Sequence, residues 1–375
     1  MPSDHLSRFA RVTIANFFFF LAFASFFLLP LHVRALGGSE RTIGVVMGTA
    51  GVAALVGAVA VGGLLDRFGS RGFLLGGLAT MSLASATFVV VDRVGPALFV
   101  LRIVQGLAFA AAFNAASTLA VEFAPPERRA AALGLFGIST LTTHAIAPTL
   151  GELLVRRGGF NVLFLAAAAF SAIGFVLAWP LAHRRSAEAA TGTRFRMSTE
   201  IGVAVVTIAC CGVAFGGVIT YVPTFVHDAD LGPVATFFLS YTAAAVLTRV
   251  TAGGLGDSLG HRPVLLPALA LLTASVALLA IVHSRLALAV TGVLFGAAQG
   301  LVYPTLNAFT IAQAAAGQFG RTQTLYNAAF NVGTTSGAMA LGIVAEAHGY
   351  RAMFLCASAM AAAALAVFGV GAQVP

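Results

Sequence analysis

Arg102, His144 and Glu152 are the side chains in this sequence best suited to handling a proton. Each interrupts a long apolar run. Burial and a nearby cation pull a carboxylate in opposite directions, so a Glu held between the two can gain and lose a proton. His titrates near neutrality and can relay one. His144 precedes Glu152 by eight residues, which puts both near one face of a helix. Plainer readings exist for each. Arg102 could snorkel to an interface, Glu152 could sit beside Arg156, and His144 could be packed on a single hydrogen bond. Elsewhere, Arg249 also lies inside an apolar run, and Asn327 and Asn331 are four residues apart on one helical face. These three fit an inner polar cluster, and they fit equally a structural hydrogen bond between helices.

These residues need a membrane around them. The chain has 375 residues, 59% of them hydrophobic and only 9% charged. A soluble domain carries about 25% charged residues, so these few cannot coat a water-soluble fold of this size. The net charge of +8 comes from Arg alone, with no Lys. The Arg residues fall mainly in short gaps between apolar runs, which marks topology rather than a nucleic-acid surface. Cys210, Cys211 and Cys356 lie inside apolar stretches without metal-ligand or redox spacing, so they read as small buried hydrophobes. The run after Arg8 and Arg11 is too long for a cleaved leader, lacks a small-residue cleavage site, and is read as the first span.

A spanning helix takes about 20 mainly apolar residues. The pattern predicts an all-α membrane protein with twelve transmembrane helices, at 12–33, 42–65, 73–91, 96–121, 131–155, 161–182, 201–226, 233–256, 263–283, 286–312, 322–346 and 352–372. With both termini cytoplasmic, twelve Arg fall on the inner side and seven on the outer, the favoured sense. Residues 183–200 form a cytoplasmic linker between an N-terminal half, 1–182, and a C-terminal half, 201–375. On this layout Arg102 lies about six residues, or roughly 9 Å, inside the outer end of the fourth span. Glu152 lies at similar depth in the fifth, so the two could pair.

The halves repeat. Gly62-Gly-Leu-Leu-Asp66-Arg67-Phe-Gly69-Ser-Arg71 returns 191 residues later as Gly253-Gly-Leu-Gly-Asp257-Ser-Leu-Gly260-His-Arg262. Pro30 returns as Pro223, Gln105-Gly106 as Gln299-Gly300, and Leu150-Gly151 as Leu341-Gly342, all at nearly one offset. Six spans preserve sidedness, so the halves are parallel repeats about an axis along the membrane normal.

Over its whole length the chain resembles the major facilitator superfamily, drug/proton antiporter-like bacterial members in particular. Gly62-x-x-x-Asp66-Arg67-x-Gly69-x-Arg71 resembles the family signature between spans two and three, departing at Ser70. The second copy departs at Ser258 and His261. Leu98-x-x-x-Arg102-x-x-Gln105-Gly106 resembles the fourth-span motif. Ala147-Pro148-Thr149-Leu150-Gly151-Glu152 resembles the antiporter element of span five, departing at Ala147 and Glu152.

The resemblance implies a cytoplasmic latch in Gly62, Asp66, Arg67, Gly69 and Arg71 and in Gly253, Asp257, Gly260 and Arg262. The plainer reading is a loop whose Arg residues only fix orientation. It also implies a central cavity lined by spans one, four, seven and ten, where Gln105, Asn114, Tyr221, Gln299 and Asn307 supply polarity. Phe19, Phe23, Phe26 and Phe27 form a helical stripe. It reads as an aromatic wall for an apolar substrate or as lipid-facing bulk. The implied activity is proton-coupled efflux of a small organic solute from the cytoplasm across a bacterial inner membrane, by a monomer. Partners are the substrate, protons and lipid, with no nucleic acid, cofactor or metal. Proton-linked or facilitated uptake of a metabolite is the alternative, and a non-transporting receptor or assembly protein on the same scaffold is the alternative of another class. No catalytic motif appears, so the chain does not read as an enzyme.

Overall fold

A computed structural model describes residues 2–125, 129–181, 197–315 and 318–371, without the side chains of 2–5, 62–68, 129–130 and 257. The described residues contain helices and turns and no strand. The first run comprises α1 (Pro2–Ser25), a 3₁₀ turn (Phe26–Leu28) and α2 (Leu29–Ala35). Pro30 accounts for the tightened turn. It has no N–H to donate, and its ring crowds the carbonyl four residues earlier, at Phe26. There follow α3 (Glu40–Phe68), α4 (Ser70–Thr87), α5 (Pro96–Phe123) and α6 (Arg129–Ala178). The rest is α7 (Thr199–Asp228), α8 (Ala235–Ala252), the short α9 (Leu255–Leu259), α10 (His261–Leu279), α11 (Arg285–Ala312) and α12 (Phe319–Gly371).

Nine helical runs among the described residues are long and apolar enough to cross a membrane. Two of them, within α6 and α12, are interrupted. Gly158 and Gly159 break α6, and Gly349, at φ +78°, breaks α12. At 18 residues, α8 is not among the nine. Arg249 and the hydroxyl side chains around it lower its apolar character.

The chain divides into two compact units, Met1–Gly37 with Thr49–Ala190 and Gly38–Gly48 with Thr191–Pro375. In the first unit α1 packs on α5 and α6, and α4 on α5 and α6. In the second, α7 packs on α12, α8 on α11, and α10 on α11 and α12. Hydrogen bonds cross these helix pairs. Ser171 Oγ donates to the Leu78 carbonyl at 2.8 Å, Ser82 Oγ to Ala168 at 2.9 Å, and Ser358 Oγ to Thr273 at 3.0 Å. In hydrocarbon, where no water competes, such bonds join helices at about 0.6 kcal/mol each. Aromatic packing fills the gap between α1, α4 and α6. The Phe26 ring lies 4.9 Å from Phe88 and stacks on Phe164 at 5.6 Å.

The repeated Gln-Gly pairs have a packing cause. A Cβ on Gly106 would run into the Ala50 carbonyl on α3. One on Gly300 would come within 2.8 Å of the Ala245 carbonyl on α8. Each glycine is where two helices of one unit touch backbone to backbone, a form of contact that membrane helices favour.

Candidate functional site

In the first unit Arg102 is 3% exposed, and its Nη1 donates to Gln105 Oε1 at 2.8 Å. The bond joins positions i and i+3 on α5, so the fourth-span spacing is itself the geometry of the pair. Gln105 is also buried, and its Nε2 has no hydrogen-bond partner. A buried amide donor without an acceptor costs free energy.

Glu152 pairs with Arg156 at 2.9 Å along α6. The carboxylate is 17% exposed and the Arg 63% exposed. The His144 ring packs edge-on against Phe27 at 5.1 Å. Phe23 stands 4.7 Å from Phe109, and Phe20 5.2 Å from Phe113. Phe19, Phe26 and Phe27 are buried, so the lipid-facing reading does not describe them. The stripe packs α1 on α5 and α6, and His144 closes one end of it. Asn114 Nδ2 bonds back to the Ala110 carbonyl of its own helix at 2.7 Å. A cavity of about 440 Å³ lies along Gly72, Gly76, Thr80, Leu107 and Ala111, with no charged residue among the described side chains that line it.

The repeated loop has matching geometry in both units. Gly69 opens α4 at φ +82° and Gly260 opens α10 at φ +87°. Side chains rarely adopt that backbone region. Two residues on, Arg71 Nη2 donates to the Trp179 carbonyl at 2.6 Å, with its guanidinium 5.8 Å over the Trp179 ring. Arg262 Nη2 donates to the Gly369 carbonyl at 2.9 Å. Each Arg caps the carbonyl end of the helix that closes its own unit. Gly253 ends α8, where a Cβ would meet the Arg249 carbonyl. The Gly62, Asp66, Arg67 and Asp257 side-chain positions lie outside the described residues.

In the second unit a polar cluster joins α11 and α12. Tyr303 Oη donates to Asn327 Oδ1 at 2.9 Å, and Gln323 Nε2 donates to the same oxygen at 3.2 Å. Tyr326 Oη donates to the Tyr303 carbonyl at 2.7 Å. Arg249 lies within electrostatic reach of Tyr241, Tyr303 and Tyr326. Tyr303, Gln323 and Tyr326 were not singled out from the sequence. Their signal was available, since Gln323, Tyr326 and Asn327 share one helical face. Asn331, on the same helix, is exposed. Gln299 Nε2 and Asn307 Oδ1 are buried without a hydrogen-bond partner. Tyr221 is fully buried, with its hydroxyl donated to the Ala338 carbonyl at 2.6 Å.

A sequence profile of the Major Facilitator Superfamily matches residues 12–248 and 233–372. The chain belongs to the major facilitator superfamily. The multidrug resistance protein MdtG of Yersinia enterocolitica is 26% identical over 368 residues, covering 91% of this chain and 87% of that protein. The inner membrane transport protein YajR of Escherichia coli is 30% identical over 141 residues, 38% of this chain and 30% of that one. The crystal structure of an aspartate-to-alanine mutant of the nucleoside transporter NupG superposes with a TM-score of 0.82 at 15% identity, over 97% of this chain and all of that one. The all-helical fold is thus the major facilitator fold. The protein is an integral, multi-pass membrane transporter of small molecules and not an enzyme.

Proposed function

We propose that this transporter exports small organic compounds in exchange for protons, by alternating access, in a bacterial inner membrane. Similarity to MdtG over about nine-tenths of the chain carries the export reading, because that relative is named as a multidrug resistance protein. The span count in this proposal is twelve, as two parallel six-helix repeats with both termini cytoplasmic, and the unit is a monomer. The breaks at Gly158–Gly159 and Gly349 support that count, since each divides a run of about twice the spanning length.

Arg102 is the proposed centre of coupling. A cation this buried in a membrane helix is expensive, and it is retained where it faces a partner or a pathway. Glu152 and His144 on α6 are the proposed groups that take up and release the proton. The Phe20, Phe23, Phe27 and Phe109 rings supply an apolar wall for the solute. The two glycine-arginine loops act as the latch.

The test is purified protein in proteoliposomes carrying a pH gradient, challenged with a panel of cationic, neutral and anionic aromatic compounds. A transported compound should dissipate the gradient. Solute flux without proton movement rejects coupling, and flux only in the direction of accumulation inside cells rejects export.

A further inference from the structure

His32 is a titratable group that the proposed exchange does not use, and it is enclosed. It lies on α2, two residues after Pro30, and is 8% exposed. Its ring stands 4.8 Å from Phe160 and 5.1 Å from Phe164, edge-on to the latter. Phe164 in turn stacks on Phe26 and lies 5.2 Å from Phe88. The Val91 backbone is within hydrogen-bonding reach of the His32 ring. The Val91 N–H is already donated to the Phe88 carbonyl at 3.0 Å, so the Val91 carbonyl is the group left to meet an imidazole N–H. His32 Nε2 is buried with no hydrogen-bond partner among the described residues, so that contact falls to Nδ1.

These surroundings select the neutral ring. A neutral imidazole carries one N–H and a charged one carries two. Nδ1 has a carbonyl to donate to, while Nε2 faces phenyl rings. A proton on Nε2 therefore places a charged donor where nothing accepts it, which is costly to bury. A cation beside an aromatic face recovers part of that cost, but the N–H still lacks an acceptor. The charged groups carried by the same elements are Arg34 on α2, Asp92 and Arg93 beyond Val91, and Glu152, Arg156 and Arg157 ahead of the break in α6. Glu152 is paired with Arg156, and none of the six is paired with the His32 ring among the described residues.

The ring also sits at a joint. Phe160 is the first residue after the Gly158–Gly159 break, and Gly159 has φ +75°. His32 thus touches three pieces of the first unit: α2 itself, the turn that follows α4, and the second part of α6. We propose that His32 is a proton-operated pin, neutral while these three pieces are packed and charged when they part, so that acidification loosens this end of the first unit about the glycine break. The sign follows from where the proton fits. The packed arrangement excludes it, and a ring freed to water accepts it near the ordinary His value of about 6.5. The packed arrangement is therefore fully held above that pH and weakens as the pH falls below it. The switch needs neither substrate nor gradient. Only its exposure to the outer medium rests on the proposed topology.

The experiment is hydrogen exchange of the purified full-length protein in lipid nanodiscs from about pH 8 to about pH 5, corrected for the intrinsic pH dependence of amide exchange. Peptides covering 26–36 and 158–166 report the joint, and neither contains another group that titrates in this range. Their opening should rise by up to about tenfold between roughly pH 7 and pH 5.5, the rise set by one proton taken up near pH 6.5. The middle of α7, in the second unit, should show no such change. His32→Phe keeps a ring against Phe160 and Phe164. It should retain at least the wild-type protection at about pH 8 and lose the pH dependence. His32→Gln cannot titrate either and should also give a flat profile; it serves as the second probe should His32→Phe fail to fold. A flat profile in the wild type, the wild-type profile in either variant, or equal acceleration in α7 would overturn the proposal. Loss of proton coupling in proteoliposomes with the exchange profile intact would reject the antiport reading alone.

Discussion

At the scale of the residue, scarcity makes the charged groups legible. In so apolar a chain Arg102 and Arg249 stand out at once, because each charge placed in a span needs a reason. The Arg102–Gln105 bond follows from an i, i+3 spacing and could be read directly. The partners of Arg71 and Arg262 could not, because the carbonyls of Trp179 and Gly369 leave no mark in a sequence. Two outcomes belong here. Arg102→Ala should abolish transport in proteoliposomes while the protein remains folded and monodisperse, since removing a buried cation lowers a desolvation cost; transport at the wild-type rate would reduce Arg102 to a structural role. Glu152→Gln breaks a partly exposed pair with Arg156 and should cost no more than about 0.5 kcal/mol of stability. It should still uncouple the protein, leaving downhill solute flux without proton flux. Intact proton flux in that variant would remove Glu152 from the coupling proposal.

At the scale of the element, apolar run length pointed to the helices, nine runs of which among the described residues are long and apolar enough to cross a membrane, and glycines interrupt two of those runs. The expected gap at 155–161 coincides with the break at Gly158–Gly159, and the gap at 346–352 with the break at Gly349. The close contacts at Gly106 and Gly300 were visible as a repeat, but their cause was not. A glycine required by a neighbouring backbone looks the same in a sequence as a glycine in open space. Substitution separates the two kinds. Gly106→Leu and Gly300→Leu should each lower stability by about 1–3 kcal/mol through overpacking. Gly69→Ala and Gly260→Ala should cost a similar amount, about 1–3 kcal/mol, because of the backbone conformation. Gly134 lies in α6 with open space where its Cβ would stand. Gly134→Ala should therefore be neutral or stabilising by up to about 1 kcal/mol. Thermal unfolding in one detergent checks the series, and a large loss at Gly134 or none at Gly106 would contradict this account of the contacts.

At the scale of the whole molecule, the sequence repeat places the halves at 1–182 and 201–375, and the contacts draw one line differently. Residues 38–48, the opening of α3, cluster with the second unit, while the rest of α3 clusters with the first. No composition shift marks that point, because the contacts are made by backbone and by side chains far away in sequence. Tyr350 Oη donates to Glu40 Oε1 at 2.7 Å, the Arg41 N–H donates to Glu346 Oε2 at 2.9 Å, and Tyr221 Oη reaches the Glu40 carbonyl at 3.3 Å. Gly44 and Gly342 leave room for the Tyr221 hydroxyl between them. In the alternating-access cycle proposed above, breaking these bonds would contribute to the balance between states. A hydrogen bond to a charged group contributes about 1.5–3 kcal/mol, enough to move a two-state population roughly tenfold or more. Tyr350→Phe removes the bond to Glu40 and a longer one, at 3.3 Å, to Asp228 Oδ2 at the end of α7, and leaves the ring packed on Phe225, which in turn packs on Phe354. Hydrogen exchange of the peptide covering 38–48 should then accelerate by about that factor, with protection in the middle of α7, away from Asp228, unchanged. Uniform acceleration across both would mean that Tyr350 stabilises the whole second unit. Unchanged exchange at 38–48 would mean that the opening of α3 is held by its glycine contacts alone and that its bond to Tyr350 does not govern the change of state.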